Sequence, residues 1–271
     1  MRADYVQAYI NRGDILIKMN RTLEAQEVYE KALIYESTNP DLFYNLGVVH
    51  IERGLHEVAL SYFDKALAVE PNHAQSLMNS AVLIQELGRP GLRPKARERL
   101  FKVLQFTPDS ERVYFNLAML AMDDEHHEEA EKWFKKAISL KEDFRSALFN
   151  LALLLNERSR SLEAVPYLQT LLKHHPGHIK GLILLGDIYT NHLRLLDDAE
   201  GCYKQILRID PNHVQGRHNL CVVFVEKGLL EDAEDCLKEA LALAPKEEYI
   251  ARHLLIVQKR RKLLMTSTIP P

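Results

Sequence analysis

The feature that most limits the fold of this chain is a series of small residues that returns at a nearly constant interval. Gly13, Gly47, Ala81, Ala118, Ala152, Gly186 and Cys221 are separated by 34, 34, 37, 34, 34 and 35 positions. A second small series keeps step with the first: Ala25, Ala59, Ala96, Ala130, Ala164, Ala199 and Ala233. Four positions after each of these stands a large side chain, namely Tyr29, Phe63, Leu100, Phe134, Leu168, Tyr203 and Leu237. Pro71, Pro108, Pro176, Pro211 and Pro245 close most of the units. A fixed period of this length marks a stack of structural repeats rather than one globular core.

Each unit carries two stretches with apolar residues at three-to-four spacing, which predicts two amphipathic helices per unit. Small residues let the two helices approach where they cross, and the closing proline follows the second helix, which it cannot continue. No stretch alternates with period two, so fourteen helices and no sheet are expected. The pattern resembles the tetratricopeptide repeat, with its 34-residue period and its Leu-Gly, Ala-x-x-x-aromatic and Pro landmarks. That resemblance implies an all-α, right-handed α-solenoid. Seven helix pairs are expected, at 6–39, 40–73, 74–110, 111–144, 145–178, 179–213 and 214–247. The stretch "EEYIARHLLIVQKRRKLL" (248–264) predicts a helix that caps the last apolar face, and 265–271 a disordered tail. The two longer intervals place insertions in the turns between a unit's own helices. The first, "GRPGLRPKA", reads as an extended loop.

Composition narrows the function classes. A net charge of −3 gives no reason for a non-specific grip on nucleic acid or anionic lipid. The richest apolar run, "LALLL" at 151–155, is far shorter than the roughly 20 residues of a membrane span. Cys202, Cys221 and Cys236 are odd in number and are expected as unpaired, partly buried thiols.

The first helix of each pair should line the inner side of the stack. Its floor is predicted from Tyr44, Val48, Val82, Phe115, Met119, Phe149 and Leu153, with Met78 among them and an acidic margin at Glu52, Glu86, Asp123 and Glu157. Beside the floor runs an asparagine series, Asn11, Asn45, Asn79, Asn116, Asn150 and Asn219, broken only by Leu184. An amide donates and accepts at once, so such a row suits the backbone of an extended, variable polypeptide. The same residues also suit bonds within and between the helices, and the sequence leaves both roles open. The expected partner is a protein or extended peptide, with no nucleic acid. Docking of a chaperone's C-terminal carboxylate is disfavoured, because Val48, Val82, Met119 and Leu153 stand where that clamp uses Lys and Asn.

No phosphate-binding loop, nucleophile elbow or CxxC pair appears, so no catalytic residue, cofactor or metal is assigned. His174, His175 and His178 in "KHHPGH" lie in an inter-repeat turn and are expected as exposed histidines. Asp123–Asp124 and Asp197–Asp198 are expected as solvated charge, and "KRRK" (259–262) as a cationic last turn favoured by the helix dipole. Asn20-Arg21-Thr22 is an N-glycosylation acceptor triplet in the first interhelical turn.

Three stretches resemble a narrower family: "DYVQAYINRGDILIKMNRTLEAQEVYEKAL" (4–33), "NHLRLLDDAEGCYKQILRIDPNHVQGRHNLCVVF" (191–224) and "LALAPKEEYIARHLLIV" (241–257). They are similar to the C-terminal region of the transmembrane and tetratricopeptide-repeat-containing O-mannosyltransferases. Members of that family are endoplasmic reticulum membrane proteins that move mannose from dolichyl-phosphate-mannose onto Ser/Thr of cadherins. Their multi-span membrane part, with the catalytic acids, has no counterpart in these residues. The resemblance implies a lumenal arm that recruits or positions acceptor protein, joined to the membrane only through that part. The alternative is a free-standing adaptor, cytoplasmic if the chain starts at Met1, that binds an extended peptide or partner helix.

Overall fold

The computed structural model describes residues 3–267, with side chains from 5 to 264. Among these residues there are fifteen α-helices and no strand, as the periodicity predicts. The first helices of successive pairs are α1 (Ala3–Lys18), α3 (Pro40–Glu52), α5 (Ala74–Glu86), α7 (Glu111–Asp123), α9 (Arg145–Glu157), α11 (Ile179–Ile188) and α13 (Val214–Glu226). Their partners are α2 (Thr22–Tyr35), α4 (His56–Val69), α6 (Arg93–Phe106), α8 (His127–Leu140), α10 (Ser161–His174), α12 (Leu196–Ile209) and α14 (Leu230–Leu243). The final helix is α15 (Glu248–Ser267). It runs three residues beyond its expected end, so 265–267 are helical, and 268–271 of the expected tail lie outside the described residues. The chain forms two compact units, Met1–Leu140 and Lys141–Pro271.

Local chemistry explains where the helices begin. Asn39 accepts from the Leu42 amide at 3.1 Å and Pro40 opens α3, a favoured cap and first residue. Histidine does the same work three times: the ring Nδ1 of His73, His178 and His213 accepts from the amides of Ser76, Gly181 and Gly216 at 3.2, 3.0 and 3.0 Å. The expectation of exposed turn histidines therefore holds for His174 but fails for His178. Its ring is half-buried, caps α11 and lies 5.0 Å from the Phe149 ring. His175 is half-buried too, with Nε2 2.9 Å from the Asp143 carbonyl.

The crossings show why the two small series exist. A Cβ placed on Gly47 would lie 2.6 Å from the Phe63 ring, and both residues are buried. Glycine stands opposite Tyr29, Phe63 and Tyr203, whereas Ala81 and Ala152 match the smaller Leu100 and Leu168. Volume is thus conserved across these five crossings, as a close-packed interior requires, while Ala118 opposite Phe134 makes one crossing fuller. Around the crossings of the first unit lie two apolar clusters, one centred on Leu42, Leu46 and Tyr29, the other on Phe63, Ile84, Leu100 and Leu117.

The cysteine expectation is corrected. Cys221 and Cys236 form a disulfide with Cα atoms 5.5 Å apart, and Cys202 alone is free and buried. Cys221 occupies the small-residue place on α13, which faces the large residue of α14 sixteen positions on; Cys236 is the neighbour of that residue. The helix hairpin therefore brings the two cysteines face to face. The first insertion is also tighter than an extended loop: Pro90–Leu92 is a 3₁₀ turn, and Arg93 ties it to the next pair through the Asp123 carbonyl (2.7 Å) and Asp124 (2.8 Å). The second is taken up by a π-helical turn at Tyr189–Leu193. In the "KRRK" segment, Arg261 reaches back to Glu231 and Glu234 of α14, both at 2.9 Å, and so clasps α15.

Candidate protein-binding face

The asparagines sit one residue before Leu46 or its equivalent, between the buried crossing and the open side of each first helix. Asn11 is exposed and accepts from Gln7 at 3.0 Å. The others are half-buried, and their Nδ2 groups share a habit. In the first unit Asn45 donates to Asp14 of α1 (3.5 Å), Asn79 to the Tyr44 hydroxyl of α3 (3.1 Å) and Asn116 to the Met78 sulfur of α5 (3.4 Å). In the second unit Asn219 donates to Asp187 of α11 at 3.1 Å, while Asn150 donates to the Ser146 carbonyl of its own helix at 2.8 Å. Four of the six therefore use a donor to reach the first helix of the preceding pair.

Asp14 and Asp187 hold a shared arrangement. The Asp14 oxygen that meets Asn45 also accepts from the Tyr29 hydroxyl at 2.7 Å, and the Asp187 oxygen that meets Asn219 accepts from Tyr203 at 2.6 Å. Burial pushes the Asp187 carboxyl above its usual range, with the two hydrogen bonds opposing the shift. Burial, followed by the bonded carboxylate, likewise raises both tyrosines. Nothing in the sequence pattern marks these triads except that Asp replaces an apolar residue after Gly13 and Gly186.

The floor residues share one degree of exposure. In the first unit Tyr44, Val48, Val82, Phe115 and Met119 are half-buried. Tyr44 and Val48 pack on the second apolar cluster, and the Phe115 ring lies 5.9 Å from Phe134. In the second unit Phe149 and Leu153 are half-buried as well. Along the margin Glu52, Glu86, Asp123 and Glu157 are exposed, and Asp123 accepts from Gln85 at 3.1 Å. At the end of the second unit the same face deepens into a cavity of about 210 Å³, lined by Val222, Glu226, Leu237, His253, Ile256 and Val257. That volume fits one or two side chains of a partner better than a drug-sized ligand, whose clefts begin near roughly 300 Å³. His218 beside it is buried and stacked on His253, with Nε2 and Nδ1 2.8 Å apart, and burial lowers its pKa. Sequence reasoning missed this pair, because His253 belongs to the helix read only as a cap.

Among the described residues no group of three His, Cys, Asp or Glu side chains is placed to hold a metal ion, and no helix is long and apolar enough to cross a membrane. Asp197 is solvated as expected, its side chain 96% exposed, and it also pairs with Lys227 at 2.5 Å. Half-covered apolar side chains lie beside oriented amides on this face, a combination that can meet both the side chains and the main chain of another polypeptide.

Comparison with known proteins agrees with this geometry. The tetratricopeptide repeat family matches residues 10–76, 111–144 and 149–214. The chain is 52% identical over 272 residues to the human Protein O-mannosyl-transferase TMTC3, covering 100% of this chain and 30% of that protein. It is 60% identical over 260 residues to the Drosophila melanogaster Protein O-mannosyl-transferase Tmtc3, covering 96% of this chain and 28% of that protein. The chain thus spans less than a third of these relatives. Among solved structures, the C-terminal part of a TPR repeat-containing protein from Cytophaga hutchinsonii superposes with a TM-score of 0.75 at 13% identity, over 90% of this chain and 99% of that one, a likeness of fold alone. The chain belongs to the tetratricopeptide repeat family.

Proposed function

We propose that this chain is the acceptor-binding repeat arm of an endoplasmic reticulum protein O-mannosyltransferase, facing the lumen. The observation that carries the reading is the 52% and 60% identity to two O-mannosyl-transferases across essentially the whole chain. The Cys221–Cys236 disulfide supports the lumenal side, since such bonds persist in oxidising compartments. The arm holds an extended segment of a cadherin-type acceptor against Val48, Val82 and Met119, with the second N–H and the carbonyl of the oriented asparagines meeting its backbone. Mannose transfer from dolichyl-phosphate-mannose takes place in the membrane part; the arm raises the local concentration of Ser/Thr acceptors there.

The test is a chimaera in which this chain replaces the matching segment of the human relative. The chimaera is expected to restore mannose on a cadherin ectodomain in cells lacking that transferase, and a version with Val82→Arg and Met119→Arg to restore far less. Equal restoration by a chimaera lacking the whole segment would overturn the proposal and favour a separate adaptor.

A further inference from the structure

Asn20-Arg21-Thr22 is the one Asn-x-Ser/Thr triplet in the sequence. The structure places it in the α1–α2 turn, where Asn20 is exposed and left-handed with φ 58°. Asparagine tolerates that conformation better than other residues with a Cβ. The turn is closed by main chain alone: the Asn20 amide donates to the Ile17 carbonyl and the Arg21 amide to the Leu16 carbonyl, both at 2.9 Å. Arg21 turns away to fork onto Glu24 at 2.5 and 2.6 Å. The Asn20 side chain makes no hydrogen bond to the described residues, unlike each asparagine of the repeat series. At the corresponding turns the left-handed residue is Gly54, Gly88, Glu125, Ser159, Arg194 or Gly228, none of them an asparagine.

A second observation lies beside it. Ile15 and Met19, one turn apart on α1, are both 57% exposed, and Leu23 in the first turn of α2 is 61% exposed. Three large apolar side chains within five residues of Asn20 are thus more than half exposed in the described unit.

We infer that Asn20 is an N-glycosylation acceptor and that the first sugars of its glycan lie over Ile15, Met19 and Leu23. The donor is a polyisoprenyl-diphosphate-linked oligosaccharide. The Asn20 Nδ2 forms a bond to the anomeric carbon, the bond from that carbon to the diphosphate oxygen breaks, the diphosphate leaves with the electron pair, and Nδ2 gives up one proton. Thr22 supplies the hydroxyl of the acceptor triplet. This inference rests on the lumenal reading above.

Two arms separate the inference from that reading. In the first, the full chain follows a cleavable secretory leader, and glycosidase-sensitive mobility is read for wild type, Asn20→Gln, Thr22→Ala and Thr22→Ser. Asn20→Gln is also read with a control triplet made by Gly88→Asn and Pro90→Thr at the equivalent turn. The expected result is one glycan on wild type and Thr22→Ser, and none on Asn20→Gln or Thr22→Ala. A glycosylated control beside an unmodified wild type would overturn the inference. In the second arm the same forms replace the matching segment of the human relative. Failure of both triplets there, after success behind the leader, would overturn the lumenal reading and the inference with it. For these apolar side chains, glycosylated wild type should bind less of an environment-sensitive apolar dye than Asn20→Gln, and the difference should vanish when Ile15, Met19 and Leu23 are changed to Ser. Equal dye binding by the first two would refute the covering role.

Discussion

Asn219 of α13 donates its amide to Asp187 of α11 at 3.1 Å, tying the first helices of two successive pairs through one carboxylate oxygen. The same oxygen accepts from Tyr203 at 2.6 Å, so Asn219 and Tyr203 converge on a group that burial makes hard to ionise. Asn45, Asp14 and Tyr29 repeat the arrangement in the first unit. Part of what looked like a ligand ladder is therefore a joint between repeats.

Asn219→Ala should lower stability by about 1–2 kcal/mol, since it strips a half-buried carboxylate of one of two donors. Asn11→Ala, exposed and bonded only to Gln7, should change it by less than about 0.5 kcal/mol. Urea unfolding of the two variants checks the contrast, and equal effects would contradict the joint.

His178 predicts an acid limit on stability. Burial lowers its pKa, with Arg145 adding repulsion, and its Nδ1 must stay unprotonated to accept from Gly181. A depressed folded pKa means that the unfolded chain takes the proton first, so this contribution is intact above the ordinary value near about 6.5 and is lost as pH falls through the folded one. His178→Asn keeps a capping acceptor without that proton. Its stability should fall less between neutral pH and pH about 5 than that of wild type, as read from melting curves.

The disulfide gives a thiol count. Alkylation of denatured, unreduced protein should label one cysteine, and labelling after reduction all three. In the folded protein Cys202 should resist alkylation at neutral pH, because burial pushes its thiol up to about 11. Changing Cys221 and Cys236 to Ser together should cost about 3 kcal/mol, the chain-entropy value for a loop of this size.

Gly47→Ala tests the crossing. The added methyl would meet Phe63 at 2.6 Å, and Phe63 is fully buried. Ala118 stands opposite Phe134 in a sister unit, so the crossing can widen. The loss should be about 1–2 kcal/mol, at the lower end for overpacking, and Phe63→Leu in the same molecule should recover part of it.

The helices were legible in the sequence because each crossing demands a small residue against a large one at a fixed distance. The Cys221–Cys236 bond was legible in principle, since Cys221 sits in the place that faces Leu237. Counting cysteines hid it, and only the repeat register reveals it. The use of the asparagines was not legible. Whether an amide turns to a neighbouring helix depends on what that helix offers, Asp14, Tyr44, Met78 or Asp187, and no local pattern shared by those residues announces it. The His218–His253 contact was hidden for the same reason, with partners 35 positions apart on separate helices.

The central claim is that the open face of the first helices binds an extended acceptor polypeptide. The most direct measurement is fluorescence anisotropy of a labelled Ser/Thr-bearing strand segment from a cadherin domain, titrated with wild type and with the Val82→Arg, Met119→Arg variant, helicity being matched by circular dichroism. The account predicts saturable binding to wild type and at least a tenfold weaker affinity for the variant, the equivalent of about 1.4 kcal/mol. Equal affinity of the two folded proteins, or no binding by either, would contradict it.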